Sequence, residues 1–206
     1  MVERADILLD DEKKDLLGST EFEDTSTVKV PDRDTVWAIG KGDALTPEAP
    51  VTLTWDNGEG LVFRRTISVD KDYMFKVVDE VENKTTAEVA LLPYARVHRV
   101  GTPKSAAFYI LHEGLIGVSG EEGLQEVTYA NAVKEDIPKK IENVTGGWLG
   151  ITDKYWAATL IPEQKEPYRA TYSATKPTTP NGLDAYQVDY LRGAVTIPPN
   201  ARKGIE

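Results

Sequence analysis

Hydrophobic and polar residues alternate with a period of two along most of the chain after residue 50. In VTLTW, residues 51 to 55, the valine, leucine and tryptophan fall on one face, and the alternation resumes at Leu61 after DNGEG. Such alternation is typical of strands that turn one face toward a core. We therefore predict a β-hairpin here, with Asn57-Gly58 supplying the positive φ angles that its turn needs.

Further segments with similar patterns bring the prediction to about ten short strands. They are YMFKVVDEV (73–81), EVALLPYARVHRV (88–100), AAFYIL (106–111), LIGVSG (115–120), LQEVTYA (124–130), YRATYSA (168–174), DAYQVDYL (184–191) and AVTIP (194–198). Glycine and proline separate them, which favours an antiparallel all-β sandwich with little helix. The polar segments 131–147 and 175–182 predict a surface excursion and a turn, respectively.

The segment GGWLGITDKYWAATLIP, residues 146–162, predicts a second hairpin. WLGI forms one strand, Thr152-Asp153-Lys154 a tight turn and YWAATLIP the return strand, and Gly146-Gly147 allow close backbone approach. Both faces of this pair are largely apolar, so we predict a central position between sheets. Four aromatic residues are expected in the structural core: Trp55, Phe63, Trp148 and Trp156. A platform of exposed rings for sugars is the alternative for the two tryptophans of this segment.

The first 34 residues differ from the rest of the chain because they hold eleven acidic and five basic residues, which is −6 of the net charge of −10. DILLDDEKKDLLG, residues 6–18, fits a short helix that ends at Gly18, although its apolar residues form no stripe. One expectation is a peripheral, mobile arm. The other is that ADILL or STVKV supplies an edge strand.

Composition narrows the classes of protein that fit. A chain of 206 residues fits a single domain, here residues 1–206. The net charge of −10 argues against a nucleic-acid partner, which needs a basic face. The lack of cysteine excludes disulfides and thiolate chemistry, and no apolar run is long enough to span a membrane, so a soluble chain is expected.

Candidate chemistry is limited to two histidines and their neighbours. Arg96 and His98 share one face of the strand YARVHRV, and Arg99 lies on the other. A histidine between arginines suits a neutral acid or base or an anion pocket, whereas the alternative is a polar strand face that keeps the protein soluble. His112 and Glu113 are adjacent in a strand and point to opposite faces. No spacing of residues matches a metal site.

Four segments resemble the periplasmic domain of the bacterial YidC membrane protein insertase family. They are LTPEAPVTLTWDNGEGLVFRRTISVDKDYMF (45–75), VHRVGTP (97–103), ILHEGLIGV (110–118) and GGWLGITDKYWAATLIP (146–162). The resemblance covers residues 36–198. It does not extend to residues 1–35, and the C-terminal end looks truncated relative to the family. A missing core strand at that end would leave a sheet edge exposed.

The resemblance implies a galactose-mutarotase-like β-supersandwich in the periplasm, part of a membrane-embedded parent protein. It implies no catalysis and no cofactor, and an accessory surface for the SecDF complex of the translocon and for client chains. The candidate residues for such a surface are Arg96, His98 and Arg99. The alternatives are a sugar-active enzyme of the aldose-epimerase type, because one fold serves many functions, and a carbohydrate-binding module.

The enzyme alternative makes a prediction that can be tested directly. Mutarotation needs a general acid and a general base that face one sugar, and the sequence offers two histidines without a matching carboxylate motif. We expect the optical rotation of fresh α-glucose or α-galactose to relax at the same rate with and without micromolar protein. Catalysis that disappears in His98→Ala would contradict the insertase interpretation.

Overall fold

The structure is a computed structural model that describes residues 7–8, 16–23, 28–32, 34–103, 111–134, 138–177, 179 and 182–205. For residues 7–8 and 16–23 it describes the backbone alone. The chain divides into two compact units. Unit 1 lies within Glu21–Pro93 and Ala194–Glu206, and unit 2 lies within Asp6–Thr20 and Tyr94–Gly193.

The described elements are almost all strands, as the period of two predicts. The strands are β1 (Ile7–Leu8), β2 (Leu16–Glu23), β3 (Ala38–Lys41), β4 (Val51–Asp56), β5 (Leu61–Val69), β6 (Phe75–Asn83), β7 (Val89–Val100), β8 (Gly114–Ser119), β9 (Leu124–Thr128), β10 (Pro138–Val144), β11 (Gly147–Thr152), β12 (Ala157–Leu160), β13 (Tyr168–Thr175), β14 (Ala185–Arg192), β15 (Val195–Ile197) and β16 (Ala201–Ile205). The described helices are a 3-10 turn, Gly120–Glu122, and α1, Tyr129–Lys134. The all-β antiparallel class is therefore confirmed.

Unit 1 is built on a sheet with the strand order β16-β6-β5-β4-β3. The predicted hairpin is its centre, since β4 pairs with β5 in register from Val51 opposite Ile67 to Asp56 opposite Val62. Its turn differs from the prediction, because the positive φ angles belong to Gly58 and Gly60 and not to Asn57. The Asn57 side chain accepts hydrogen bonds from the amides of Glu59 and Leu61 and so stabilises a longer loop.

The core of unit 1 lies on one face of this sheet. Phe63 is fully buried there, and the ring of Trp55, directly opposite it and partly buried, lies 5.5 Å away. The buried members of this cluster are Trp37, Leu53, Leu61, Phe63, Val81, Leu91, Ile197 and Ile205. Burial of these apolar side chains is the main favourable contribution to the stability of the unit.

A buried asparagine joins three chain segments of unit 1. The Asn83 amide nitrogen donates to the carbonyl oxygens of Ala87 at 2.8 Å, Ile197 at 3.1 Å and Pro198 at 3.2 Å. Its oxygen accepts from both the amide and the hydroxyl of Thr85. The side chain thus satisfies backbone groups of the turn after β6 and of the end of β15 that would otherwise be buried without partners.

Unit 2 encloses its core between two sheets. One continues from β7 in the order β7-β14-β13-β10, and the other has the order β12-β11-β8-β9. The buried cluster between them is Val97, Leu115, Tyr129, Ala132, Val144, Leu149, Ile151, Tyr168, Ala170, Tyr172, Tyr186 and Val188. Gly147 enters β11 at a φ of 92°, where a Cβ atom would lie 1.9 Å from the Val118 carbonyl oxygen. The close approach predicted for this glycine is therefore confirmed.

Four tyrosines carry their hydroxyl groups into the core of unit 2. Tyr129 and Tyr168 donate to the carbonyl oxygens of Thr152 and Gly146 at 2.9 and 2.8 Å. Tyr172 and Tyr186 hydrogen-bond to the hydroxyls of Ser119 and Thr102, respectively. Burial raises the pKa of all four phenols, that of Tyr168 to about 12, because it disfavours the charged form.

The structure corrects one of the two sequence predictions for polar segments and agrees with the other. The excursion predicted at 131–147 contains part of α1 and the strand β10, which pairs with β13. β10 is polar because it is exposed along most of its length and has a partner on one side in the sheet order. At 175–182, the described residues beyond Thr175 lie outside strands and helices, as a turn requires. The strand predicted at AAFYIL falls almost wholly outside the described residues.

The N-terminal segment contains two described strands, and the first, within ADILL, stands at the end of its sheet order, as the edge-strand expectation requires. β1 pairs with β2 in antiparallel register, Ile7 opposite Gly18 and Leu8 opposite Leu17, and β2 lies next to β7 in the sheet order. Gly18 therefore lies inside a strand and does not end a helix. Pairing with a neighbouring strand overrides the weak local pattern, because backbone hydrogen bonds in a sheet do not need clean alternation.

Asn83 provides a stability prediction for unit 1. Asn83→Ala removes one buried group that satisfies several backbone atoms, and we expect a loss of about 2 to 4 kcal/mol in the free energy of unfolding. Urea titration followed by circular dichroism measures it. The exposed Asn131→Ala is the control, with a change within about 0.5 kcal/mol. Equal midpoints for the two variants would contradict this role for Asn83.

Candidate binding surfaces

The outer face of the larger sheet of unit 2 carries mainly polar side chains. His98 lies opposite Gln187 and Arg96 opposite Asp189 between β7 and β14, and Thr171 lies opposite Asp189 between β13 and β14. Directly opposed residues of antiparallel strands point to the same face. We call this surface the polar face; its residues are Tyr94, Arg96, His98, Thr171, Ser173, Gln187 and Asp189.

Hydrogen bonds and burial give the polar face a defined geometry. The Gln187 amide nitrogen donates to the Tyr94 hydroxyl at 3.0 Å and to the Asp189 carboxylate at 2.8 Å. Asp189 and Thr171 are buried, whereas Arg96 and His98 are half-buried. The face therefore offers partly accessible cationic and imidazole groups beside a buried carboxylate. Such side chains can hydrogen-bond to a partner with little loss of rotamer freedom.

Arg99 does not belong to this surface, so its prediction as a surface residue is wrong. It points to the opposite, inner face of β7 and is 7% exposed. Its guanidinium donates to the Gly101 carbonyl oxygen at 3.1 Å and lies 3.4 Å from the Asp153 carboxylate. Arg99 also lies 5.8 Å from the centre of the Tyr129 ring. Alternation along the strand separates it from Arg96 and His98, and the buried carboxylate accounts for a charged group on the inner face.

Asp153 organises the turn between β11 and β12. Its carboxylate accepts hydrogen bonds from the amides of Tyr155 and Trp156, both at 3.0 Å, and its own amide donates to the Trp156 carbonyl oxygen. The turn therefore extends to residue 156, one residue before β12 begins. We call residues 153–156 the aromatic turn, since it presents Tyr155 at 75% exposure and Trp156 at 44%.

The prediction that Trp156 lies in the core is wrong. It rests on strand parity with Ala158 and Leu160, which do pack against the core, but the Asp153-capped turn interrupts that parity before residue 157. Trp148, on β11, is partly buried. Because Trp156 is exposed, the turn presents aromatic side chains at the surface, which the prediction of a buried Trp156 did not allow.

The two histidines lie on different parts of unit 2, His98 on β7 and His112 in the segment before β8. The residue opposite His98 is Gln187, whose side-chain amide stays neutral near neutral pH and is not a general acid or base. Nε2 of His112, which is half-buried, lies 3.1 Å from the Leu115 carbonyl oxygen. Within the part of the chain that the structure describes, no group of three or more metal-ligating side chains is present.

Sequence reasoning missed Asp153, Tyr155 and Gln187 as organising residues. The signal for the turn is present in the sequence, because an aspartate in a turn accepts hydrogen bonds from backbone amides two or three residues later. Gln187 carried no such signal, since its role depends on two neighbouring strands that lie far away in sequence. Among the described helices, none is long and apolar enough to cross a membrane.

Comparison with known proteins gives matches along nearly the whole chain. The model of the YidC periplasmic domain matches residues 5–206. Proteins named "Membrane protein insertase YidC" from Beijerinckia indica and Rhizobium meliloti are 50% and 49% identical to this chain over 175 and 174 residues, respectively. A protein of the same name from Nitrobacter hamburgensis is 50% identical over 174 residues. These alignments cover 85%, 84% and 84% of the chain, in that order.

The same matches define how much of the relatives the chain represents. It spans 28% of the length of each of these three curated relatives. The family match begins at residue 5 and so includes most of the segment 1–35 that the sequence resemblance leaves out. The strands at 7–8 and 16–23 lie within the matched residues.

The buried pair of Arg99 and Asp153 predicts a large effect of one substitution. Asp153→Ala removes a carboxylate beside a buried guanidinium and frees two turn amides, so we expect a loss of about 3 kcal/mol or more in unfolding free energy. Urea titration measures it, with the exposed Asp72→Ala as control. The double variant Arg99→Met with Asp153→Ala should lose less unfolding free energy than the two single variants lose in sum. Additive costs would show that the two side chains are not coupled.

Proposed function

This chain belongs to the YidC periplasmic domain family, and from that premise we propose that its polar face contacts protein partners of a bacterial membrane protein insertase. The partners we propose are the SecDF complex of the translocon and client chains during insertion and folding. The domain is periplasmic and is part of an inner-membrane, non-catalytic insertase. Its contribution to the whole protein is therefore binding.

One observation carries the choice of surface: three adjacent strands present hydrogen-bonding side chains on one side of unit 2. Arg96, His98 and Gln187 combine one cation, an imidazole and an amide within two strands. Arginine is enriched in protein interfaces because its planar group makes several hydrogen bonds. Asp189, buried and hydrogen-bonded to Gln187, holds the amide in place. The face thus suits recognition of a polar protein surface or of backbone groups.

Site-specific crosslinking in the full-length insertase tests this proposal. A photoreactive amino acid is placed at Arg96 or His98 on the polar face, and at the exposed control positions Glu59 and Lys71 of unit 1. We expect crosslinks to SecDF, to a client chain or to both from the polar face, at several times the yield of the control positions. Equal yields from all four positions, or crosslinks from unit 1 alone, would contradict the proposal.

A charge change separates recognition from proximity. With the photoreactive residue at His98, Arg96→Gln should reduce the yield of crosslinks, because an interfacial cation is lost, while Arg96→Lys should retain part of it. Circular dichroism of the isolated chain shows whether each variant is folded. An undiminished yield in Arg96→Gln would mean that the polar face is near the partner but does not recognise it.

A further inference from the structure

One end of unit 2 gathers several exposed apolar side chains. Thr152, just before the aromatic turn, pairs with Gly114 at the start of β8. Residues 111–113 and 153–156 therefore continue from neighbouring strand ends on the same side of the sheet. The Gly101 amide donates to the Asp184 carbonyl oxygen at 2.7 Å, and Arg99 links this region to Asp153. We call this region the apolar end; its exposed apolar residues are Leu111, Tyr155, Trp156 and Leu183.

The side chains of the apolar end are exposed, and the aromatic turn that carries two of them is held in place from inside. Asp153 caps the two amides that precede the exposed rings, and Arg99, itself buried, lies against the Asp153 carboxylate. Tyr155 is 75% exposed and Leu183 61%, which means that water reaches each side chain from several sides. A protein pocket would have to surround such projecting groups, whereas a fluid phase accommodates them without a complementary shape.

The charges of the aromatic turn are compatible with a lipid interface. The Asp153 carboxylate lies beside the Arg99 guanidinium, so its charge is largely balanced within the fold. Lys154 is exposed, and its ammonium lies 5.2 Å from the centre of the Tyr155 ring. Tyrosine, tryptophan and lysine together are the side chains that favour the boundary between headgroups and acyl chains.

We propose that the apolar end of unit 2 inserts its exposed side chains into the headgroup region of a phospholipid bilayer. The proposal goes beyond the contact with protein partners. It names a bilayer as the binding partner because the relatives are membrane protein insertases, which work at a membrane. Apolar insertion drives the binding, since the chain carries a net charge of −10 and is repelled by anionic headgroups. The interaction therefore strengthens on anionic vesicles when salt screens that repulsion, the opposite of the behaviour of a basic patch.

Vesicle flotation of the 206-residue chain tests the proposal. Vesicles of phosphatidylcholine, and vesicles with one third phosphatidylglycerol, are used at low and high salt. We expect the chain to float with the neutral vesicles at millimolar lipid, and with the anionic ones more at high salt than at low salt. Failure to bind the neutral vesicles, or binding to anionic vesicles that salt abolishes, would overturn it.

Variants assign the binding to this end of the unit. Tyr155→Ser with Trp156→Ser removes two ring systems, and the partition coefficient should fall about tenfold or more. Leu183→Ser, outside the aromatic turn, should lower it by a smaller factor and serves if the double variant does not fold. The control is Tyr73→Asn in unit 1, since Tyr73 is 84% exposed and has a φ of 64°, which asparagine tolerates.

The variants also separate this proposal from the contact with protein partners. Unchanged partitioning of the double variant, or an equal loss in Tyr73→Asn, would overturn the assignment to the apolar end. If the chain does not bind vesicles while Tyr155 and Trp156 crosslink to a protein in the full-length insertase, the apolar end is a protein contact and the lipid proposal is wrong. Crosslinks from the polar face are independent of all these outcomes.

Discussion

Strict alternation along β7 is the constraint on which the candidate surfaces of this chain depend. Its inward positions, from Leu91 through Ala95 and Val97, are buried, while Tyr94, Arg96 and His98 point to the other side. A shift of one residue would exchange the two sets and expose the apolar one. The position of every polar candidate on this strand therefore follows from the burial of its apolar neighbours.

Polar groups inside the two units perform a different task from the apolar core. Asn83 in unit 1, and Arg99 with Asp153 in unit 2, satisfy backbone atoms and charges at chain turns. These groups add little net stability compared with apolar burial. Loss of any one of them, however, would leave a buried polar group without a partner. They therefore determine which turn conformation accompanies the core, and through it which side chains reach the surface.

The two surfaces of unit 2 differ in chemistry and suit different partners. The polar face presents hydrogen-bonding groups that are half-buried and mutually supported, which favours a defined protein surface. The apolar end presents exposed rings and leucines, for which a lipid interface needs no matching shape. By the two proposals, a periplasmic domain with both surfaces holds protein partners through one and lies against a bilayer through the other.

The sequence by itself determined the all-β class, the hairpin at 51–69 and the two faces of YARVHRV. Each depends on a period of two that is local and reflects burial of one face. It also contained the segments by which the family resemblance is identified. Tertiary structure decided the remaining features, because they depend on contacts between residues far apart in sequence. Arg99 is buried because Asp153, over fifty residues later, lies beside it, and β10 is a strand because β13 pairs with it. The exposure of Trp156 is the exception, because it follows from a local contact: an aspartate three residues earlier extends the turn to residue 156, so the parity of β12 does not apply there.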